Sequence, residues 1–290
     1  MLYKICFFWS LSLTSIAQAA RPLIVDDLVM DMGKIKFDIS AIYTNTNNNS
    51  VFAGDTTVIQ TGPVSYISIP TTVSDRQDYS DSIVSMLGLR YGLTEKTEVY
   101  SRVTYLFNRQ RANDASGTSG YTNSYLADLW IGFAHQFKEE NETPGWLGFL
   151  EISARERHDY STATFKSSVI GFTTYKALDP IVFSLTSAYR FNLNRKDGTL
   201  YYKPGNYFLI NPSVGFAAND QVTLNTGLLL TNRRPDYRDN STLGLQTTST
   251  DLLFGVGYSV DQDNTLNFTV KVNASGKNGT DLRINWLHTI

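Results

Sequence analysis

Thr265-Leu266-Asn267-Phe268-Thr269-Val270-Lys271-Val272 alternates polar and apolar side chains without a break. After Gly276 and Gly279 the alternation resumes, with Leu282, Ile284 and Trp286 interleaved with Asp281, Arg283 and Asn285 on the way to Ile290. A period of two sends one set of side chains to each face of a β-strand. Working back from this tail, the same pattern recurs across most of the chain. The expectation is an all-β fold, a transmembrane antiparallel up-and-down β-barrel with apolar side chains toward lipid and polar ones toward the lumen.

Twelve alternating segments can be laid out, at residues 33–43, 81–92, 97–107, 125–137, 146–155, 167–176, 181–193, 207–216, 221–231, 250–260, 265–274 and 281–290. Each comes near the roughly 9–11 residues that a tilted strand needs to cross a bilayer. An even number returns the C-terminus to the side where the barrel begins. The connections alternate in length. Residues 93–96, 177–180, 217–220 and 261–264 are short and carry the Asn, Asp, Pro and Thr of tight turns. Residues 44–80, 108–124, 156–166, 194–206 and 232–249 are longer. Short periplasmic turns and longer extracellular loops are the outer-membrane arrangement. On the seventh segment Ile181, Phe183, Leu185, Tyr189, Phe191 and Leu193 are expected to face lipid, with Ser184, Thr186, Arg190 and Asn192 inward. The ninth offers Val222, Leu224, Leu228 and Leu230 to lipid, and the tenth Leu252, Phe254, Val256, Tyr258 and Val260.

Residues 1–19 read as a secretory signal peptide: Lys4, a mostly apolar stretch over 5–16, then the small-x-small site Ala17-Gln18-Ala19. Residues 20–32 are then a periplasmic segment or a lumen plug, and residues 33–290 the barrel. The one cysteine, Cys6, falls in the signal, so the mature chain is expected to have no thiol chemistry. No run of ~18 apolar residues follows. The slightly negative mean hydropathy, −0.20, suits a barrel, in which only alternate residues meet lipid. The 17 Tyr and 16 Phe are plentiful enough for interfacial girdles. Without Lys4, the 25 Lys and Arg become 24 against 27 acidic residues, a net charge of −3. Nucleic acid, which calls for a basic surface, is not an expected partner.

The opening Arg21-Pro22-Leu23-Ile24-Val25-Asp26-Asp27, with Gly33-Lys34 after it, resembles the start of the "MetA-pathway of phenol degradation" outer-membrane family. The strand-turn-strand stretch Leu89-Arg90-Tyr91-Gly92-Leu93-Thr94-Glu95-Lys96-Thr97-Glu98-Val99 is similar to that family too. The resemblance spans the mature barrel on short motifs. It implies a channel or transporter for aromatic or other hydrophobic small molecules. The chain departs from it in its long first loop, and in Ile290 where barrel C-termini usually carry an aromatic residue.

By phase, the lumen set comprises Lys36, Asp38, Arg90, Glu98, Tyr100, Arg102, Asp128, Glu151, Arg155, Arg190, Asp251, Lys271 and Arg283. These residues form either a polar path for solute or a salt-bridged brace, since enclosed charges must pair or be hydrated. Arginines at several levels favour anionic or aromatic groups through pairing and stacking. Asp26, Asp27 and Asp31 are the candidate plug carboxylates that would meet them. In the first loop, residues 58–60 and 64–69 around Gly62-Pro63 read as a small hairpin, either folded into the pore or standing outside it.

Catalysis is not expected. A histidine-activated nucleophile is the chemistry to look for, and none of His135, His158 and His288 lies in a His-x-Ser-Asn arrangement. No metal site or cofactor is expected. The charged loop with Arg233, Arg234, Asp236, Arg238, Asp239 and Asn240 reads as solvated or touching lipopolysaccharide. The function expected is an outer-membrane channel or transporter for small hydrophobic or aromatic molecules. The alternative is a secretion channel for a polypeptide, of the functional-amyloid type, or a surface-interaction barrel. Residues 44–53 and 113–123, rich in Asn, Ser, Thr and Gly, motivate the alternative. The expected partners are outer-membrane lipid and lipopolysaccharide, the barrel assembly machinery, a small solute and, on the alternative, a secreted polypeptide.

Overall fold

The computed structural model describes residues 29–44, 49–53, 56–60, 66–70, 73–77, 82–114, 117–158, 161–197, 199–239, 241–275 and 280–290, with the backbone alone over 49–77 and 110–121 and at 158 and 197. Residues 1–28, with the expected signal peptide, Asp26 and Asp27 among them, lie outside the described residues.

Twelve strands build the wall: β1 (Ile35–Thr44), β2 (Ser82–Thr94), β3 (Thr97–Asp114), β4 (Gly117–Lys138), β5 (Gly145–His158), β6 (Ser167–Leu178), β7 (Ile181–Asn192), β8 (Tyr207–Ala217), β9 (Val222–Arg233), β10 (Thr247–Ser259), β11 (Asn264–Asn273) and β12 (Thr280–Thr289). Each pairs antiparallel with the next, and β12 returns to β1 through pairs such as Ile39↔Trp286 and Ala41↔Ile284. Closure removes the open edge. That matters in hydrocarbon, where an unpaired backbone amide has no water to bond.

All twelve expected segments are present as strands. The period of two is written in the exposure: β2 alternates buried and exposed without a break from Ser82 to Gly92. The exposed set is apolar, with Phe183, Leu185 and Phe191 on β7, Leu224, Leu228 and Leu230 on β9, Phe254, Val256 and Tyr258 on β10, and Leu282, Ile284 and Trp286 on β12. An apolar surface this extensive does not suit water. On a closed antiparallel wall it is a lipid-facing belt, and the protein is a bacterial outer-membrane barrel.

The external connections differ from the expectation. Residues 108–124 are not a loop: β3 and β4 stay paired from Asn108↔Asn123 to Asp114↔Gly117 as a two-stranded extension. Similarly, β5 folds back onto a short strand, Ser161–Ala163. Four short strands, Arg195–Asp197, Leu200–Lys203, Asp236–Arg238 and Ser241–Leu243, form a separate sheet across two expected loops. Beyond the membrane neither face meets lipid. The ladder can continue there with no apolar alternation to reveal it.

Asp236 ties that external sheet to its base. Its carboxylate accepts from the Tyr202 hydroxyl at 2.5 Å, the Gly205 amide at 2.7 Å and Arg233 Nη2 at 3.2 Å. Burial alone would raise this carboxyl. The Tyr202 bond, the Arg233 charge and the Gly205 amide outweigh it and hold the pKa below the ordinary value of 3.8. A carboxylate lowered on folding stabilises fully above its unfolded pKa, and that stability is lost as pH falls through its folded value. Hydrogen-exchange protection of residues 236–243, corrected for intrinsic rates, should therefore hold from pH 5 to 8 and fall below about pH 3.8. Asp236→Asn should lose protection at every pH.

Candidate functional site: the barrel lumen

Glu98, Tyr100 and Arg102 occupy successive inward positions of β3 and anchor the ionic core. Arg90 of β2 donates to Glu98, its Nε lying 3.1 Å from Oε1. Arg102 Nη2 donates to Glu151 Oε2 at 2.8 Å, and the Tyr100 hydroxyl donates to Glu151 Oε1 at 3.0 Å. Both side chains of the Arg102–Glu151 pair are 0 % exposed. Higher up, Glu156 pairs with Arg190 and, at 3.3 Å, with Arg195. The guanidinium groups of Arg102 and Arg190 lie over the Trp130 ring, 5.2 and 4.8 Å from its centroid. Arg190 also lies 5.8 Å from Tyr207, and Arg90 the same distance from Tyr100. Stacking of this kind suits the planar, weakly hydrated guanidinium.

The inner wall has two faces. Around β10, β11, β12 and β1 it is polar. Lys271 pairs with Asp281 at 2.7 Å, and Thr44 donates to the same carboxylate at 2.6 Å. Asp251 accepts from Asn273 at 2.6 Å, and Asp38 from Asn285. Around β5 to β9 the inward side chains include Leu147, Phe149, Val169, Tyr175, Val182, Leu209 and Leu229. The lumen is thus mixed rather than wholly polar: on these same strands Glu151, Thr173, Thr186, Arg190, Asn211 and Thr231 are also buried inward, and Ile42, Val84 and Leu106 form a second apolar cluster on β1 to β3. From β3 to β6 aromatic rings lie flat on the wall, each opposite a glycine: Tyr100 on Gly132, Phe149 on Gly171, Tyr175 on Gly145. A Cβ at Gly132 would sit 2.2 Å from the Tyr100 ring, and one at Gly171 2.2 Å from that of Phe149. Glycine is what allows the rings to lie down.

Of the residues placed by phase, Asp38, Arg90, Glu98, Tyr100, Arg102, Glu151, Arg190, Asp251, Lys271 and Arg283 are buried inward. Lys36 is half-buried, as is Asp128, opposite Thr104. Arg155 is a correction: it is exposed. Against β4 the register jumps from Trp130↔Ser153 to Leu129↔Arg155, so Ala154 is a bulge residue that reverses the phase. Glu156 takes the inward place instead. Neither Glu156 nor Arg195 was legible by phase. The apolar arc did leave a signal: consecutive apolar residues in Trp146-Leu147, Phe149-Leu150 and Leu228-Leu229-Leu230 break strict alternation.

Asp31 does not itself lead the N-terminal segment inward. It pairs with Lys34 and stands near the periplasmic end of β2. What enters is Val29, in the buried cluster that includes Tyr100 and Trp130, and Met30, whose amide donates to Glu98 Oε2 at 2.9 Å. Gly92 permits the approach, since a Cβ there would lie 1.9 Å from the Asp31 carbonyl oxygen. His135 Nδ1 lies 2.8 Å from Thr97 Oγ1 and His288 Nδ1 2.9 Å from Asn264 Oδ1, both near periplasmic turns. The His158 side chain lies outside the described residues. An apolar hollow of about 540 Å³ beside Phe133, Leu150, Ile170, Phe172 and Phe208 is on the lipid face, not in the lumen.

No family model and no curated protein matches the chain. Solved structures do. The COG4313 outer membrane channel from Pseudomonas putida F1 superposes with a TM-score of 0.66 at 12 % identity, over 93 % of this chain and 100 % of that one. The NanC porin does so with a TM-score of 0.51 at 11 % identity, over 87 % and 98 %. The translocator domain of the autotransporter NalP from Neisseria meningitidis reaches 0.50 at 9 % identity, over 90 % and 89 %. At such identities what is shared is the fold, and the chain is similar to outer-membrane barrels over nearly its whole length.

Proposed function

We propose that the protein is an outer-membrane channel for small molecules, and that its preferred solutes carry an aromatic or other hydrophobic group. The observation that supports this most is the cluster of apolar side chains on the inner wall, which includes Trp130 beneath the guanidinium groups of Arg102 and Arg190. These side chains are closed off, Trp130 at 1 % exposure; where the packing over them opens, they offer a solute ring apolar area and stacking partners. The fold shared with the solved outer-membrane channel supports the channel reading, and the short motifs that resemble the phenol-degradation family support its solute class. The test is swelling of liposomes that hold the mature protein, in aromatic carboxylates and in pentoses. Trp130→Ala should lower the aromatic-to-pentose rate ratio about 2–10-fold, the equivalent of losing ~0.5–1.5 kcal/mol of aromatic contact. Absence of flux for every solute would end the channel reading.

A display role for the external surface is the second reading, favoured by Tyr201, Leu243 and Leu245, which stand exposed on the extracellular side. Serine at all three positions should abolish any adhesion the protein confers. Unchanged adhesion would remove this reading.

A further inference from the structure

The β1–β2 connection leaves the wall at Thr44 and rejoins it at Ser82, two directly paired residues. Within it Asn49–Ala53 pairs with Val73–Gln77, and beyond that stalk Thr56–Gln60 pairs with Tyr66–Pro70. The sequence expectation of a small hairpin here is met. Its position is the new observation: Tyr66–Pro70 lies against β7, β8, β9 and β10. On a closed wall of twelve strands, β7 and β8 are those farthest from β1 and β2. A segment rooted at β1 reaches them only across the barrel.

The inner wall it meets carries apolar side chains among polar ones. Leu209 and Leu229 face inward near the extracellular ends of β8 and β9, and both are 0 % exposed. Leu253, midway along β10, packs against the same cluster. In an open, watery lumen inward leucines would be wet, at a cost of about 25 cal/mol per Å² of apolar surface. The hairpin register groups Ile59 with Ile67, and Thr57 with Ile69, so three isoleucines share one face of it. We infer that the Thr56–Gln60/Tyr66–Pro70 hairpin is folded into the outer half of the lumen, against the inner wall of β7–β10, where it sets the constriction of the channel. The constriction rests on the channel reading above; the placement does not.

The mature chain has no cysteine once Cys6 is removed with the signal, so disulfides can be introduced without background. Ile67→Cys, Ser68→Cys or Ile69→Cys is combined with Leu209→Cys or Leu229→Cys, which face inward. Control pairs use Phe208→Cys or Leu228→Cys, which face lipid. On mild oxidation at least one inward pair should close to a disulfide, seen as a shifted band on a denaturing gel, and no control pair should. Closure of none of the inward pairs, or of the control pairs, overturns the placement. Excision of residues 54–72 should raise single-channel conductance at least twofold. Ser68→Trp, which keeps the loop and lies on the face opposite the isoleucines, should lower it. Unchanged conductance in both variants overturns the constriction. If the inward disulfide forms while neither the intact nor the excised protein conducts, the channel reading fails and the placement stands.

Discussion

Glu151→Ala is expected to destabilise the barrel by about 3–5 kcal/mol, because removing one member of a fully buried ion pair strands the other. Glu151 takes a hydrogen bond from Tyr100 and another from Arg102, and the guanidinium it holds is 0 % exposed. Urea unfolding of the barrel in lipid, followed by tryptophan fluorescence, measures the loss. The double replacement Arg102→Met with Glu151→Leu should recover much of it, since an apolar pair of similar volume carries no desolvated charge. Glu139→Ala supplies the contrast. Its partner Lys96 is half-exposed in a periplasmic turn, where solvent screens the pair, and no change in the midpoint is expected.

Leu185→Arg is the second large effect, about 2–4 kcal/mol, the cost of a cation on the lipid face near the bilayer midplane. Leu185 lies midway along β7 and is exposed, while its neighbour Thr186 is buried inward and hydrogen-bonded to Thr173 at 3.0 Å. Thr186→Ser, which keeps the hydroxyl, should cost little in the same assay. If Leu185→Arg were as mild as Thr186→Ser, position 185 would not meet hydrocarbon.

How much of this was legible depends on what the period of two can say. It assigns a face, so β2, β3, β7 and β12 were read with the correct residues inward, including Glu98, Tyr100 and Arg102. It cannot see a bulge, and one extra residue at Ala154 sends Arg155 out and Glu156 in. It also gives no depth. That Glu151 meets Arg102, 49 residues away, depends on the stagger of the strands, which no single segment encodes. The apolar inner arc was hidden for a related reason: a strand that is apolar on both faces, as around Leu228-Leu229-Leu230, reads as noise in an alternation. The external strands carry no such pattern, because neither of their faces meets lipid.

Everything above stands on one claim, that alternate residues of each wall strand meet lipid. Quenching by phospholipids brominated on their acyl chains tests it most directly on β7. Single cysteines at positions 183 to 190 carry a fluorophore, in bilayers with and without the brominated lipid. Strong quenching is expected at Phe183, Leu185, Ser187 and Tyr189, and weak quenching at Ser184, Thr186, Ala188 and Arg190. Uniform quenching along the segment, or a maximum every three to four residues, would contradict the barrel.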